Sequence, residues 1–327
     1  MSQVGYSIHF LRRRRRIGAS PPGSPAPFVV GLGRSGTTLL RLMLDAHPAL
    51  TIPPETHFVP SLIQASGKLR FTPTRAAEWI VEGRHRRWGD FGLDADELLA
   101  RLEAIPRFNA PDAVRAFYRL YAERQGKPRW GDKTPDYVRK MKKIERTLPE
   151  ARFIHLIRDG RDAGLSHNAR IAKRGVREPL APGELALRWA KRIEKAREVA
   201  AELTGYLELR YEDLVTDPEP ALRRVCELIE LDYDRGMLDY HRHAEQRLQE
   251  MAGALPAVGD RPAREAGERL AAHAMATKPP SRERIALWKQ EMSEADQAEF
   301  EATAGTLLAE LGYETLSRPS HRPPTPR

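Results

Sequence analysis

The sequence holds a single cysteine, Cys226, among its 327 residues. No intrachain disulfide can form, and a disulfide-stapled scaffold is excluded. No apolar run approaches the roughly 20 residues that a membrane-spanning helix needs. The opening MSQVGYSIHFLRRRRRIG lacks the apolar stretch that a secretory signal places behind its basic start. From these absences we expect a cytoplasmic, reducing location and no transmembrane segment. Zinc-ligand spacings, helix-turn-helix patterns and RNA-binding sheet signatures are missing as well. Lysine is scarce, and arginine supplies most of a formal net charge of +9 with a pI near 9.7. Such a field suits an anionic partner. The basic residues are nevertheless spread along the chain, and the one dense run, Arg12 to Arg16, reads as a solvated arm, so no specific nucleic acid is expected. Cys226, in ALRRVCELIEL, falls on the apolar face of an amphipathic helix and reads as a buried structural thiol. Nothing in the sequence indicates an oligomeric state.

What is present is ample for one large α/β body: 41% hydrophobic and 30% charged residues. Residues 1–26 end in the linker-like ASPPGSPAP and are expected to be a disordered basic tail. Phe28 to Val30 is apolar on both faces, as a central strand of a parallel sheet must be. The glycine-containing turn Gly31 to Gly36 follows, then a helical pattern from Thr37 to Ala46 and a short strand over Ala49 to Ile52. Residues 56–128 carry helical periodicity broken by Pro73, Pro106 and Pro111, and read as a helical insertion. Beyond it we expect a brief strand at Arg129 to Gly131, a helix over Pro135 to Leu148 and a second core strand at Arg152 to Ile157. Helices from Gly160 and Glu184, a strand at Tyr206 to Arg210 and a helix over Pro218 to Ile229 complete the alternation. The body is placed at 27–313, and the proline-rich 314–327 is taken as a second disordered tail. Strands alternating with helices imply a P-loop-type central parallel sheet flanked by helices, with ligands at the strands' carboxyl ends.

Gly31-Leu32-Gly33-Arg34-Ser35-Gly36-Thr37-Thr38 joins a strand to a helix, the setting of an anion cradle built from backbone N–H groups. A nucleotide triphosphatase loop would place lysine where Thr37 stands. Without it, the main charge clamp on β/γ-phosphates is missing. Asp159, the nearest candidate for a metal carboxylate, is flanked by Arg158 and Arg161, so no metal is expected.

The run Arg34-Ser35-Gly36-Thr37-Thr38-Leu39, with Asp45-Ala46-His47-Pro48 and Pro54-Glu55-Thr56 behind it, resembles the sulfotransferases that use 3′-phosphoadenosine 5′-phosphosulfate (PAPS), most closely their tyrosyl-protein branch. A second family signature appears as Arg158 and Ser166 within LIRDGRDAGLS, with Arg170 at a further basic position. These segments span roughly residues 28 to 215. The resemblance implies that Arg34, Ser35, Gly36, Thr37 and Thr38 hold the 5′-phosphosulfate of PAPS, while Arg158 and Ser166 hold its 3′-phosphate. It makes Glu55 the general base for an acceptor hydroxyl in an in-line transfer, with His57 and His167 as rivals from branches that use histidine. Lys133, in Trp130-Gly131-Asp132-Lys133-Thr134-Pro135, matches the family lysine that stabilises the departing oxygen. Tyr211 corresponds to a nucleotide-side tyrosine, with core packing as its bland alternative. Lys278 to Ser281 and Trp288 resemble the segment that closes over the nucleotide. Leu287 stands where the family has lysine, so Lys289, Arg284 or Lys278 is expected to replace it. The product implied is adenosine 3′,5′-bisphosphate; the acceptor class is not indicated. Two other readings stay open, a P-loop kinase using Mg-ATP and a polyanion- or nucleic-acid-binding protein.

Overall fold

The computed structural model describes residues 23–67, 71–83, 86–175, 178–259 and 262–316. The expected N-terminal tail up to residue 22, including Arg12 to Arg16, and residues 317–327 of the expected C-terminal tail lie outside them. Strand β1 (Ala26–Gly31) is central, and order β4-β1-β5-β6 gives a four-stranded parallel sheet with β4 (Asp132–Lys133), β5 (Ala151–Ile157) and β6 (Tyr206–Arg210). Side chains alternate between its two faces as the strand period of two requires. Phe28, Val30 and Phe153 enter one apolar cluster, while Val29, Ile154, Leu156, Leu207 and Leu209 enter another. That is why Phe28 to Val30 reads as a continuous apolar run, whereas the edge strand β6, Tyr206-Leu207-Glu208-Leu209-Arg210, alternates.

Helices α1 (Thr37–Asp45), α2 (Val59–Ala65), α3 (Pro73–Val81), α4 (Ala95–Glu103), α5 (Ala110–Arg124) and α6 (Met141–Thr147) precede β5. After it come α7 (Gly160–Arg174) and α8 (Pro182–Ala200), and after β6 come α9 (Tyr211–Thr216), α10 (Pro218–Leu228) and α11 (Ala244–Gln249). Short α12 (Glu268–Ala271) and α13 (Trp288–Glu291) and long α14 (Glu294–Glu310) close the chain. The insertion is helical as expected: α2 to α5 pack Phe58, Phe91, Val114, Phe117 and Tyr118 against the first face of the sheet. Cys226 is buried in α10, and burial pushes its thiol up to about 11.

Several expectations need correction. The strand after α1 is only β2 (Leu50–Thr51), and it pairs with β3 (Arg129–Trp130) in a separate two-stranded sheet. The edge strand β4 was not expected at all: two residues are too few to show a period. The helix expected over Pro135 to Leu148 is split into a 3-10 turn, Pro135–Arg139, and α6, because Lys140 between them leaves helical geometry at φ −129. The packed body also runs past 313: Thr315 is buried, and the Glu314 carbonyl accepts a hydrogen bond from Arg161.

Candidate active site

The loop between β1 and α1 is built from backbone geometry that few residues tolerate. Gly36 has φ 89, and a Cβ there would meet the Tyr211 ring at 2.5 Å, so only glycine fits. Arg34 takes φ 79, a left-handed conformation that costs a side-chain-bearing residue on the order of 1 kcal/mol and concentrates at binding sites. Ser35, Thr37 and Thr38 are buried. No side chain caps the start of α1, so its first N–H groups stay open to an anion.

The second signature folds onto this loop. Arg34 Nε donates to Ser166 Oγ at 3.0 Å, and Arg158 Nη1 donates to the Arg34 carbonyl at 3.4 Å. Arg158 is buried, its guanidinium lies 4.8 Å from the centre of the Tyr211 ring, and among the described residues its Nε has no hydrogen-bond partner. Asp162 lies 3.7 Å from Arg158, and its carboxylate also accepts from the backbone of Ala286 and Trp288. Arg158 and Asp162 thus form a buried ion pair beside the loop. Burial and the neighbouring Arg170, Arg158 and Arg284 push the Arg34 pKa down to about 10. Guanidiniums this close repel one another unless an anion joins them.

Tyr211 opens α9, with its ring against Gly36 and under the Arg158 guanidinium. It also lines a shallow cleft with Leu39, Tyr240, Met275, Ser281 and Arg284. Ser281 is thus at the cleft. Lys278 is exposed, and its carbonyl accepts from Tyr240. Of the candidates to replace lysine at Leu287, Lys289 pairs with Glu314 at 2.6 Å, whereas Arg284 is the one beside Arg34 and Arg158. Trp288 is buried, with Arg161 3.4 Å from its ring centre.

The catalytic candidates converge across β2 and β4. Lys133 Nζ, fully buried, donates to Glu55 Oε1 at 2.7 Å and to Thr38 Oγ1 at 3.4 Å. His57 Nε2 lies 2.9 Å from Glu55 Oε2, and Arg87 Nη1 3.7 Å away from the same oxygen. Burial alone would raise the Glu55 pKa, but Lys133, His57 and Arg87 together hold it well below the usual carboxylate range. Burial lowers the Lys133 pKa, against the pull of Glu55. Beside Glu55 lies a shallow cleft lined by His57, Phe58, Trp79, Ile80, Arg87 and Phe91. Arg170, on α7, acts electrostatically on Arg34 and feels Glu55 and Arg87, so it stands between the two halves.

Sequence reasoning missed two groups here. His273 feels Lys133, Glu55, Arg34 and Arg170, and burial leads these in pushing its pKa down to about 3. It sits in GERLAAHAMATK, which carries no motif. Arg87 lies in the insertion, where composition gave no sign of it. His167, the other rival base, follows Ser166 on α7. Among the described residues, no group of three or more histidine, cysteine or carboxylate side chains could hold a metal ion.

Fold and site together define an α/β protein with a phosphate-type loop, a second cationic pocket and a carboxylate–lysine pair. A model of the sulfotransferase family matches residues 25–235, well over half of the chain, and the chain belongs to that family. Among curated relatives, protein-tyrosine sulfotransferase 1 of Danio rerio is 24% identical over 298 residues, covering 90% of this chain and 74% of the relative. A putative protein-tyrosine sulfotransferase of Caenorhabditis briggsae is 28% identical over 217 residues, covering 65% and 68%. Among solved structures, the sulfotransferase domain from the curacin biosynthetic pathway aligns with TM-score 0.58 at 21% identity, over 90% of this chain and all of that one. The sulfotransferase domain of the Synechococcus PCC 7002 olefin synthase aligns with TM-score 0.57 at 22% identity, over 92% and 99%. These neighbours share the fold.

Proposed function

We propose that this sulfotransferase moves the sulfuryl group of PAPS to an acceptor hydroxyl, with Glu55 as general base and Lys133 on the leaving oxygen, and without a metal. The observation that carries the reading is one ammonium serving two sites: Lys133 touches both Glu55 and Thr38 of the phosphate loop. The donor's anionic groups fit what the chain presents. The open start of α1 with Arg34 suits the phosphosulfate, while Arg158, whose Nε has no partner among the described residues, and Ser166 suit a 3′-phosphate. Bound PAPS would supply a sulfuryl group activated by its phosphosulfate anhydride.

Glu55 would take the acceptor proton as the new S–O bond forms. Lys133 would donate to the bridging oxygen as that atom keeps the electron pair of the breaking S–O bond. A strongly depressed pKa makes a weak base, and the geometry offers a remedy. As Lys133 turns toward the loop, Glu55 loses its main opposing cation and burial restores its basicity. The acceptor would enter from the cleft beside Glu55, whose lining joins Phe58, Trp79, Ile80 and Phe91 with His57, Ser61, Arg86 and Arg87.

A second reading has an observation of its own. His57 lines that cleft and bonds Glu55 Oε2, which fits an imidazole base oriented by a carboxylate. Release of adenosine 3′,5′-bisphosphate from PAPS, measured over phenol, sugar, alkyl-alcohol and tyrosyl-peptide acceptors, separates the two. With Glu55 as base, Glu55→Gln lowers kcat by about 100-fold or more and His57→Asn by under about tenfold. The reverse ranking makes His57 the base, and unchanged rates in both remove the pair from the chemistry.

A further inference from the structure

The residues that follow Glu55 and precede Lys133 meet beneath the catalytic pair. Thr56 Oγ1 donates to Asp132 Oδ2 at 2.8 Å, and the Thr56 backbone N–H donates to Thr134 Oγ1 at 3.1 Å. Tyr118 OH donates to the same Asp132 oxygen at 2.8 Å. Tyr137 OH accepts from the Val59 backbone N–H at 3.1 Å and lies 2.8 Å from Thr56 Oγ1, to which it can donate. Tyr118 is in turn stacked on Trp130, ring centres 4.5 Å apart and 6° from parallel. Thr56, Tyr118, Asp132 and Tyr137 are all buried.

We infer that this Thr56–Asp132–Tyr118–Tyr137 network is a positioning device that sets the Glu55–Lys133 separation, resting on the reading that Glu55 is the base. Glu55 stands on the loop after β2 and Lys133 on β4, and the β2–β3 ladder that joins their segments ends where the Gly131 N–H donates to the Thr51 carbonyl at 2.9 Å, short of both residues. The network carries the tie past the end of that ladder, to one residue along the chain from each. Buried hydrogen bonds to a carboxylate are directional, and breaking one leaves a desolvated acceptor behind. They fix a register better than the apolar contacts around them could. Shifts of about 1 Å at reacting groups cost on the order of 100-fold in rate, so a register device here acts on kcat. Thr56, Tyr118 and Tyr137 are positioning residues, since none of them touches Glu55 or Lys133 through a hydrogen bond described above.

Their loss also has a signature in pH. Charged and titratable groups face Glu55 from every side: Lys133 from β4, His57 from its own loop, Arg87 from the insertion, Arg170 from α7 and His273 from the segment after α12. Lys133 is the largest of the influences that lower the Glu55 pKa. Loosening the pair raises that pKa, and the acid limb of the rate profile moves to higher pH.

Thr56→Val keeps shape and removes the donor. We expect kcat to fall by about 10- to 100-fold, KM for PAPS to stay within about twofold and the acid limb to rise. Thr56→Ser should restore all three, and Tyr137→Phe should shift kcat and the limb the same way even if Thr56→Val fails to fold. A purely structural role would lower Tm while leaving kcat per folded molecule and the acid limb at wild-type values in both variants, and that result overturns the inference provided Glu55→Gln abolishes turnover. If Glu55→Gln is without effect, the base assignment fails instead, and the inference falls with it.

Discussion

The two halves of the site solve opposite electrostatic problems. On the side proposed for the nucleotide, Arg34, Arg158, Arg170 and Arg284 crowd one another, with Asp162 3.7 Å from Arg158. On the acceptor side, Glu55 is matched by Lys133, His57 and Arg87 within 3.7 Å. The first half carries an excess of positive charge, which suits an anion. The second is internally compensated and must be partly unpaired before it can act. Excess charge gives affinity and fast capture, while a compensated pair gives little affinity and is suited to differential action in the transition state.

Mutations should therefore separate binding from turnover along the same line. The largest effect is expected for Lys133→Ala: kcat down by about 100- to 1,000-fold in a PAPS turnover assay, with affinity for adenosine 3′,5′-bisphosphate nearly kept. The acid limb of its residual activity should move upward, because Glu55 loses the cation that most depresses its pKa. A loss of bisphosphate affinity as large as the loss of rate would erase the distinction between the halves. Gly36→Ala should do the converse with a smaller effect. Its Cβ would stand 2.5 Å from Tyr211 at a φ that alanine resists, so the loop must shift. Bisphosphate affinity read by calorimetry should fall by about 10- to 100-fold, in line with an overpacking and strain cost of about 1–3 kcal/mol.

The nucleotide half was also the more legible in sequence. Its loop, strand ends and arginines lie in short segments where glycine, threonine and arginine have few other uses, and Arg34, Arg158, Ser166 and Tyr211 come together as expected. Arg284 could be listed among candidates but not chosen, since its place depends on how the chain returns across Asp162. The acceptor half was legible only at Glu55 and Lys133. His273 and Arg87 arrive from segments with no periodic or motif signal, brought there by tertiary packing. The tie beneath the pair was hidden for another reason: Thr56 and Asp132 were in plain view inside Pro54-Glu55-Thr56 and Gly131-Asp132-Lys133, yet nothing in one dimension says that two such neighbours face each other. The strand β4 that carries Lys133 was invisible because its two residues are too few to show a period and are defined by pairing with β1.

The claim on which the rest depends is that Arg34 and Arg158 grip one nucleotide from its two phosphorylated ends. Calorimetric titration of adenosine 3′,5′-bisphosphate in EDTA, into the wild type and Arg158→Ala, tests it directly. The account predicts tight magnesium-independent binding by the wild type, and a loss of about 30-fold or more in the variant, as removing a buried charge partner from a bound phosphate would produce. Equal affinity in the two proteins, or binding of Mg-ATP in preference to the bisphosphate, would contradict it.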